Sequence, residues 1–460
     1  VALMKSISGI RGTIGGKPGE NLTPPDVVKF AAAFGTWVQQ RKGKKVVIGR
    51  DARISGPMVS TLVCETLMAL GLDVVDLGLS TTPTVELAVP AEKAGGGVII
   101  TASHNPAEWN ALKLLNEKGE FISAADGRAV LQIAEKDNFS FAAPGHTGRY
   151  ITKSHYLQYH IERIVKHKWV DVKAITKARF KIAVDGVNST GGIAVPMLLK
   201  KLGVKNIVLL NGQPTGKFAH NPEPLPENIR QICRAVKKEK CHLGIVVDPD
   251  VDRLALVQED GKPFGEEYTL VAVADYILSR KKGNTVSNLS STRALRDITE
   301  KAGGTYAAAA VGEVNVVELM KKTGAIIGGE GNGGVIFPDL HYGRDALAGI
   351  ALFLSHLARS GLSASALRST YPNYYISKNK LELKPDTNTD TLLQRMQQLY
   401  AGERINTTDG VKIEFESAKS WVHLRKSNTE PIIRIYAEAP TAAAAQALAE
   451  EVMENLRQAQ

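Results

Sequence analysis

One arrangement recurs three times in this chain, and it limits the fold more than any other feature. "KKVVIGRD" (44–51) reads as a strand and is followed by "MVSTLVCETLMALGLDVVDLG" (58–78), a helix, a glycine and a second strand. "ARFKIAVDG" (178–186) is followed by "GIAVPMLLKKLGVKNIVLLN" (192–211), and "NTVSNLSST" (284–292) by "ALRDITEKAGGTYAAAAVG" (294–312). Each copy is an apolar β-rich run, a helical period, a glycine suited to a helix C-cap, and another strand. Helices alternating with short strands predict βαβ units and mixed or parallel sheets. The expectation is three related α/β domains in tandem, although identity between the copies is weak. Past residue 370 the pattern changes. "YPNYYISKNKLEL" (371–383) and "GVKIEFESAKSWVHLRKS" (410–427) alternate like antiparallel strands, and "TAAAAQALAEEVMENLRQAQ" (441–460) is rich in helix formers. This predicts a smaller α+β domain. With boundary signals at "FAAPGHTGRY" (141–150) and "QEDGKPFG" (258–265), the expected domains are 1–150, 151–257, 258–369 and 370–460.

Composition narrows the class. With 43% hydrophobic and 23% charged residues, the 460-residue chain is ordinary for a globular protein. It contains no apolar run long enough to span a bilayer, and "VALMKSISGIRG" (1–12) lacks the apolar core of a signal peptide. Cys64, Cys233 and Cys241 are scattered and odd in number, which predicts a reducing compartment without a disulfide framework. The expected location is the cytoplasm. A formal net charge of +10 fits either a nucleic-acid partner or a substrate that carries phosphate. The basic residues are spread out, and runs such as "RKGKK" (41–45) read as solvated helix ends. We therefore expect a small-molecule partner that carries phosphate, no nucleic acid and no membrane, and leave the oligomeric state open.

Four loops carry chemistry. In "VIITASHNPAEWNALK" (98–113) a buried strand ends abruptly at Ser103, His104 and a proline turn. That is an ordinary polar turn or a presented nucleophile. In "GIVVDPDVDRLALV" (244–257), Asp248, Asp250 and Asp252 alternate between two strands. Three carboxylates this close repel unless a cation neutralises them. An EF-hand is the wrong frame, because its sixth position needs glycine and holds Arg253. Mg²⁺ suits the set, since it takes few carboxylates and completes its shell with phosphate or water oxygens. In "IIGGEGNGGVIFPD" (326–339), glycines surround Glu330 and Asn332, a carboxylate and an amide suited to vicinal sugar hydroxyls. In "LRKSNTEPIIRIYAEA" (424–439), Arg425, Ser427, Asn428 and Thr429 make an anion cradle or a polar hairpin loop. His341 lacks a partner motif and reads as structural or surface.

Taken together, the four loops, in this order and one per expected domain, closely resemble the α-D-phosphohexomutase family over essentially the whole chain. That family includes phosphoglucomutase, phosphomannomutase and phosphoglucosamine mutase. The resemblance implies four domains around a central cleft, three with related mixed α/β cores and a smaller C-terminal α+β domain. It implies that Ser103 is the phosphoserine and, with Asp248, Asp250 and Asp252, a ligand of Mg²⁺. Arg253 follows the aspartates as in the family. Glu330 and Asn332 match the sugar-reading loop. Arg425, Ser427, Asn428 and Thr429 match the loop that grips the phosphate not being transferred. Lys113 matches an active-site lysine, and Arg11, in "SGIRG" (8–12), a cleft arginine. The implied reaction interconverts hexose 1- and 6-phosphates through a hexose 1,6-bisphosphate. Lys113 or His104 would accept the hydroxyl proton. The sugar would be glucosamine, mannose or glucose. Two features depart from the pattern: Gly334 stands where several members carry histidine, and Ala346 where glycine is common. The rival readings are a metal-dependent sugar phosphatase and a non-catalytic sugar-phosphate binding protein. The first has no need of a second phosphate cradle, and the second no need of clustered aspartates beside a nucleophile.

Overall fold

The computed structural model describes residues 3–6, 9–384, 387–427 and 431–459. They belong to two compact units, Val1–Tyr276 with Asn332–Leu367, and Ile277–Gly331 with Arg368–Gln460.

The repeated phrase folds the same way each time. In the first unit, the strand Lys45–Arg50 lies between parallel partners Asp73–Leu79 and Gly96–Ile100. Gly96–Ile100 then pairs antiparallel with Trp109–Leu115. Further along, Lys181–Asp185 lies between parallel Asn206–Leu210 and Leu243–Val247, and the latter pairs antiparallel with Leu254–Gln258. In the second unit, Thr285–Asn288 lies between parallel Tyr306–Ala309 and Ile327–Glu330. Gly71, Gly203 and Gly303 follow the helices Gly56–Ala69, Gly191–Lys201 and Ala294–Lys301 with φ of +87°, +86° and +75°. This is the left-handed stop expected of a C-cap glycine.

The central strands are runs of Val and Ile because helices cover both faces. Val46, Ile48, Val98 and Ile100 pack in one core with Phe34 and Trp37 of the helix Pro24–Gln40. Val47 and Ile99, pointing the other way, pack with Val85 and Val89 of the helix Thr82–Ala91. Each such side chain, fully buried, stabilises by roughly 1.5–3 kcal/mol before entropy is counted. The C-terminal region of the second unit is different. Tyr375–Glu382, Ile432–Ala439, Ser420–Lys426, Val411–Phe415 and Arg404–Asn406 form one antiparallel sheet in that order. Its inward residues share a core with the helices Thr389–Leu399 and Ala442–Ala459. Among the described residues no helix is long and apolar enough to cross a membrane.

This topology places the chemistry. The serine loop leaves the carboxyl end of Gly96–Ile100, the aspartate loop that of Leu243–Val247, and the glycine loop that of Ile327–Glu330. Each is the third strand of its repeat. Carboxyl ends of parallel strands are where open α/β sheets present ligand sites.

Candidate active site

Ser103 is held in a conformation that few serines adopt. Thr101 Oγ1 accepts the Ser103 amide at 2.9 Å and donates to Asp51 Oδ2 at 2.7 Å. This closes a tight turn and puts Ser103 at φ +49°, in the left-handed region. Such a backbone costs on the order of 1 kcal/mol or more and persists only where its surroundings impose it. Arg53, wholly buried, imposes it. Its Nε donates to Asp51 Oδ2 (3.1 Å), one terminal nitrogen to the carbonyls of Pro106 (2.6 Å) and Trp109 (2.9 Å), and the other to those of Ser103 and Asn105. Four of the five guanidinium protons hold the serine loop and the fifth holds Asp51, which in turn accepts from Thr101.

The serine hydroxyl donates to Asp248 Oδ2 at 2.7 Å. Asp248, Asp250 and Asp252 are fully buried, and their ligand atoms lie within 4.8 Å of one another. Val251, between them, has φ +62°, which is strained for a β-branched residue. Asp248 Oδ1 accepts the amides of Asp252 and Arg253, both at 3.1 Å. Asp250 Oδ2 accepts from Thr82 (2.6 Å) and Lys113 (2.8 Å), and Asp252 Oδ2 from Arg344 (2.7 Å). Asp250 Oδ1 and Asp252 Oδ1 are buried with no donor against them. Two orphaned carboxylate oxygens beside a serine hydroxyl fit a divalent cation.

The electrostatics follow from burial. Asp248 is pushed well above the usual carboxylate range by desolvation and then by Asp252 and Asp250. Burial also opposes charge on Asp250, but the Lys113 ammonium and the hydrogen bonds from Lys113 and Thr82 outweigh it and hold the group low. Lys113 is raised in turn: burial works against its charge, and Asp250 and Asp252 prevail. His104 Nδ1 is 3.3 Å from Ser103 Oγ, and burial with Arg253, Arg11 and Arg344 pushes its pKa down to about 2. It is therefore a neutral imidazole. Arg11 donates to Asn105 Oδ1 at 2.7 Å, and burial lowers its pKa.

Three residues beyond those picked out from the sequence complete this site. Arg53 cages the serine loop. Glu223 accepts from Arg253 at 3.2 Å and lies 3.9 Å from His104 Nε2. Arg344 holds Asp252. One signal for Glu223 was present, because the "HNP" of 104–106 recurs in "HNPEP" (220–224). Arg344 also accounts for the departure at Gly334. A Cβ there would lie 2.4 Å from Arg344 Cδ, so the arginine fills the space a histidine would need. Asn332 Oδ1 accepts the Gly334 amide at 3.2 Å.

In the second unit, Glu330 is buried at the end of its strand and accepts from Asn288 Nδ2 (3.0 Å) and the Gly312 amide (3.2 Å). Arg425 is the penultimate residue of the strand Ser420–Lys426, and its Nε meets Asp409 Oδ2 at 2.8 Å. The Val311 amide donates to that same Asp409 oxygen at 2.9 Å. Two consecutive amides, Val311 and Gly312, thus tie the arginine's partner and the glycine-loop carboxylate to one turn. The Ser427 amide donates to Ile432 O at 3.0 Å, closing the base of the loop. Asn428 and Thr429 lie outside the described residues.

A strained serine against a carboxylate triad, ringed by cationic side chains on tandem α/β sheets, defines a phosphoryl-transfer class of protein. Comparison with known proteins agrees. Profiles of the phosphoglucomutase/phosphomannomutase alpha/beta/alpha domains I, II and III match residues 4–141, 158–261 and 265–374, and the C-terminal domain matches 382–455. A phosphoglucomutase/phosphomannomutase of Thermococcus kodakarensis is 36% identical over 437 residues, 93% of this chain and 94% of the relative. A probable phosphoglucosamine mutase of Methanopyrus kandleri is 33% identical over 98% of this chain and 97% of its own length. The crystal structure of a phosphoglucomutase/phosphomannomutase family protein from Burkholderia thailandensis superposes with TM-score 0.84 at 27% identity, covering 99% of this chain and 98% of that one. The chain belongs to the phosphoglucomutase/phosphomannomutase family.

Proposed function

We propose that Ser103 is the phosphoryl carrier of this phosphohexomutase, an isomerase that moves a phosphoryl group between positions of one sugar phosphate. The observation that supports this most is the 2.7 Å contact between Ser103 Oγ and Asp248, within a triad carrying two orphaned carboxylate oxygens. In this reading the substrate is a hexose 1- or 6-phosphate, with glucosamine, mannose and glucose as candidates. The phosphorus–oxygen bond to Ser103 breaks as a new one forms to the free sugar hydroxyl, giving a 1,6-bisphosphate. That intermediate turns over, and its other phosphoryl group returns to Ser103. The four domains would be 1–150, 151–257, 258–369 and 370–460, and the setting the cytoplasm.

Asp248, Asp250, Asp252 and phosphorylated Ser103 would hold Mg²⁺, which when bound neutralises charge on the transferring phosphate. Arg11 and Arg253 add positive charge from this chain. Either His104, beside Ser103 Oγ, or Lys113, paired with Asp250 and Asp252, would accept the hydroxyl proton. Glu330 and Asn332 would read the sugar hydroxyls. Arg425 and Ser427, with Asn428 and Thr429, would grip the phosphate that is not transferred.

Chelation is expected to abolish turnover, with Mg²⁺ restoring it and Ca²⁺, looser in geometry, restoring it poorly. Turnover that survives exhaustive chelation would rule out the metal role.

The experiment that separates mutase from phosphatase uses enzyme phosphorylated on Ser103 and one equivalent of hexose monophosphate, followed by phosphorus NMR. The expected product is isomerised monophosphate. Arg425→Lys cannot reproduce the planar fork, so it is expected to slow turnover and release more free bisphosphate. Inorganic phosphate appearing as fast as substrate disappears, in both proteins, would mean hydrolysis.

A further inference from the structure

The first unit buries a second set of metal-type ligands, next to the aspartate loop, where the Ala346 amide donates to Val251 O at 3.2 Å. His160 lies on the helix Tyr156–Val165, and His341 and Asp345 stand at either end of the turn before the helix Ala346–Ser360. His160 Nε2 is 2.8 Å and His341 Nε2 3.2 Å from the same oxygen, Asp345 Oδ2. The three ligand atoms all lie within 4.8 Å of one another. The side chains of His160, Asp345 and His341 are 0%, 1% and 11% exposed.

We propose that His160 Nε2, His341 Nε2 and Asp345 Oδ2 form a second metal site, which takes a borderline transition-metal ion, Zn²⁺ foremost. Ligand type excludes Mg²⁺ as the natural occupant, because two of the three donors are imidazole nitrogens. The spacing fits. Bonds of ~2.0 Å at tetrahedral angles place ligand atoms ~3.3 Å apart, so the two histidine–Asp345 separations of 2.8 and 3.2 Å need to open only slightly.

The outer partners support the same reading. His160 is fixed through its other nitrogen, Nδ1, which lies 2.9 Å from Thr84 Oγ1, and His341 Nδ1 faces the Glu86 carboxylate, 3.2 Å from Oε2. A carboxylate or hydroxyl on the far nitrogen orients a ligating imidazole and fixes its tautomer. Glu86 is itself closely packed. A Cβ at Gly343 would come 1.9 Å from Glu86 Oε2, so the carboxylate occupies the space a larger residue there would need. Asp345 Oδ1 accepts the Ala348 amide at 3.0 Å and caps its helix, which leaves Oδ2 for the cluster.

Charge points the same way. Two buried carboxylates, Glu86 and Asp345, face two imidazoles. One divalent cation between the two rings would answer that buried negative charge. The cation would also clamp the turn 341–345, whose Arg344 donates to Asp252. That consequence rests on the mutase reading; the metal site itself does not.

The test uses the full-length protein, stripped with chelator and held in excess Mg²⁺ so that the aspartate loop is occupied. Zn²⁺ and Co²⁺ are titrated by calorimetry, and Co²⁺ also by its visible spectrum. Four-coordinate Co²⁺ on imidazole absorbs far more strongly than octahedral Co²⁺ on oxygens, so the wild type alone reports which kind of site is filled. We expect one ion per chain with the intense band. His160→Gln and His341→Gln should each lose it, and Glu86→Gln should keep the band with affinity weakened by about tenfold or more. A wild-type protein that takes up no Zn²⁺ in excess Mg²⁺, or shows only the weak octahedral spectrum, overturns the proposal. So does a band that survives in both histidine variants.

Discussion

Replacing Ser103 with alanine is expected to lower mutase turnover by several orders of magnitude while leaving the protein folded. The substitution removes one oxygen and its hydrogen bonds with Asp248 Oδ2 and His104 Nδ1. Losing such a bond costs about 1–3 kcal/mol at a buried carboxylate. That is small beside the loss of the covalent path, since no other hydroxyl described here stands in the same turn against the triad. The loss should fall on kcat and kcat/KM together, the signature of an interaction made by the reacting atom. Intact-mass measurement of the wild type should show one added phosphate, mapped to Ser103 by peptide analysis, and none in the variant. An alanine variant of wild-type activity, or a phosphate that maps elsewhere, would remove Ser103 from the reaction.

The parts of this site that were legible in the sequence are those whose chemistry is local. "TASHNP" and "DPDVDR" each follow an apolar strand, so a residue count suffices to put Ser103 and the aspartates at a strand's carboxyl end. The threefold phrase likewise gave the parallel sheets, because βαβ units leave a hydrophobic period and a glycine stop in the chain itself. Arg53 and Arg344 were not legible, and Glu223 left only the recurring "HNP" of 220–222 as a signal. Each works through a tertiary contact: Arg53 on a carbonyl 50 residues away, Glu223 on an arginine 30 away, and Arg344 on an aspartate 92 away. An isolated arginine in "RDARISG" or "HYGRDA" carries no periodic or motif signal of such a partner. His341 shows the same limit. Read as structural or surface for want of a motif, it proves nearly buried between Glu86 and Asp345. Those carboxylates and burial compete, and the carboxylates win: in the ion-free protein its pKa rises to about 10. The departure at Gly334 was visible, but its cause, the Arg344 side chain, needed coordinates.

Arg53 gives the second large expected effect, and it separates building the serine turn from merely filling the core. Arg53→Met keeps the length and apolar stem but deletes five donors. It strands the buried Asp51 carboxylate, whose pKa burial already pushes up against the pull of Arg53 and Thr101. Breaking a buried pair from one side costs roughly 3–5 kcal/mol. The chemical-denaturation midpoint should fall accordingly. Arg53→Lys is the sharper variant. It retains the charge that Asp51 needs, but one ammonium has three protons and cannot span the carbonyls of Ser103, Asn105, Pro106 and Trp109. Its stability should recover most of the loss. Its kcat should not, because the strained Ser103 backbone is no longer held at φ +49° and can relax away from Asp248. The readouts are the denaturation midpoint, kcat and the fraction of Ser103 phosphorylated at equilibrium with a bisphosphate donor. If Arg53 serves only the core, kcat in the lysine variant will track stability and phosphorylation will stay complete. If it positions the nucleophile, kcat will fall by at least about tenfold in a protein of near wild-type stability, which is what four hydrogen bonds directed at one turn require.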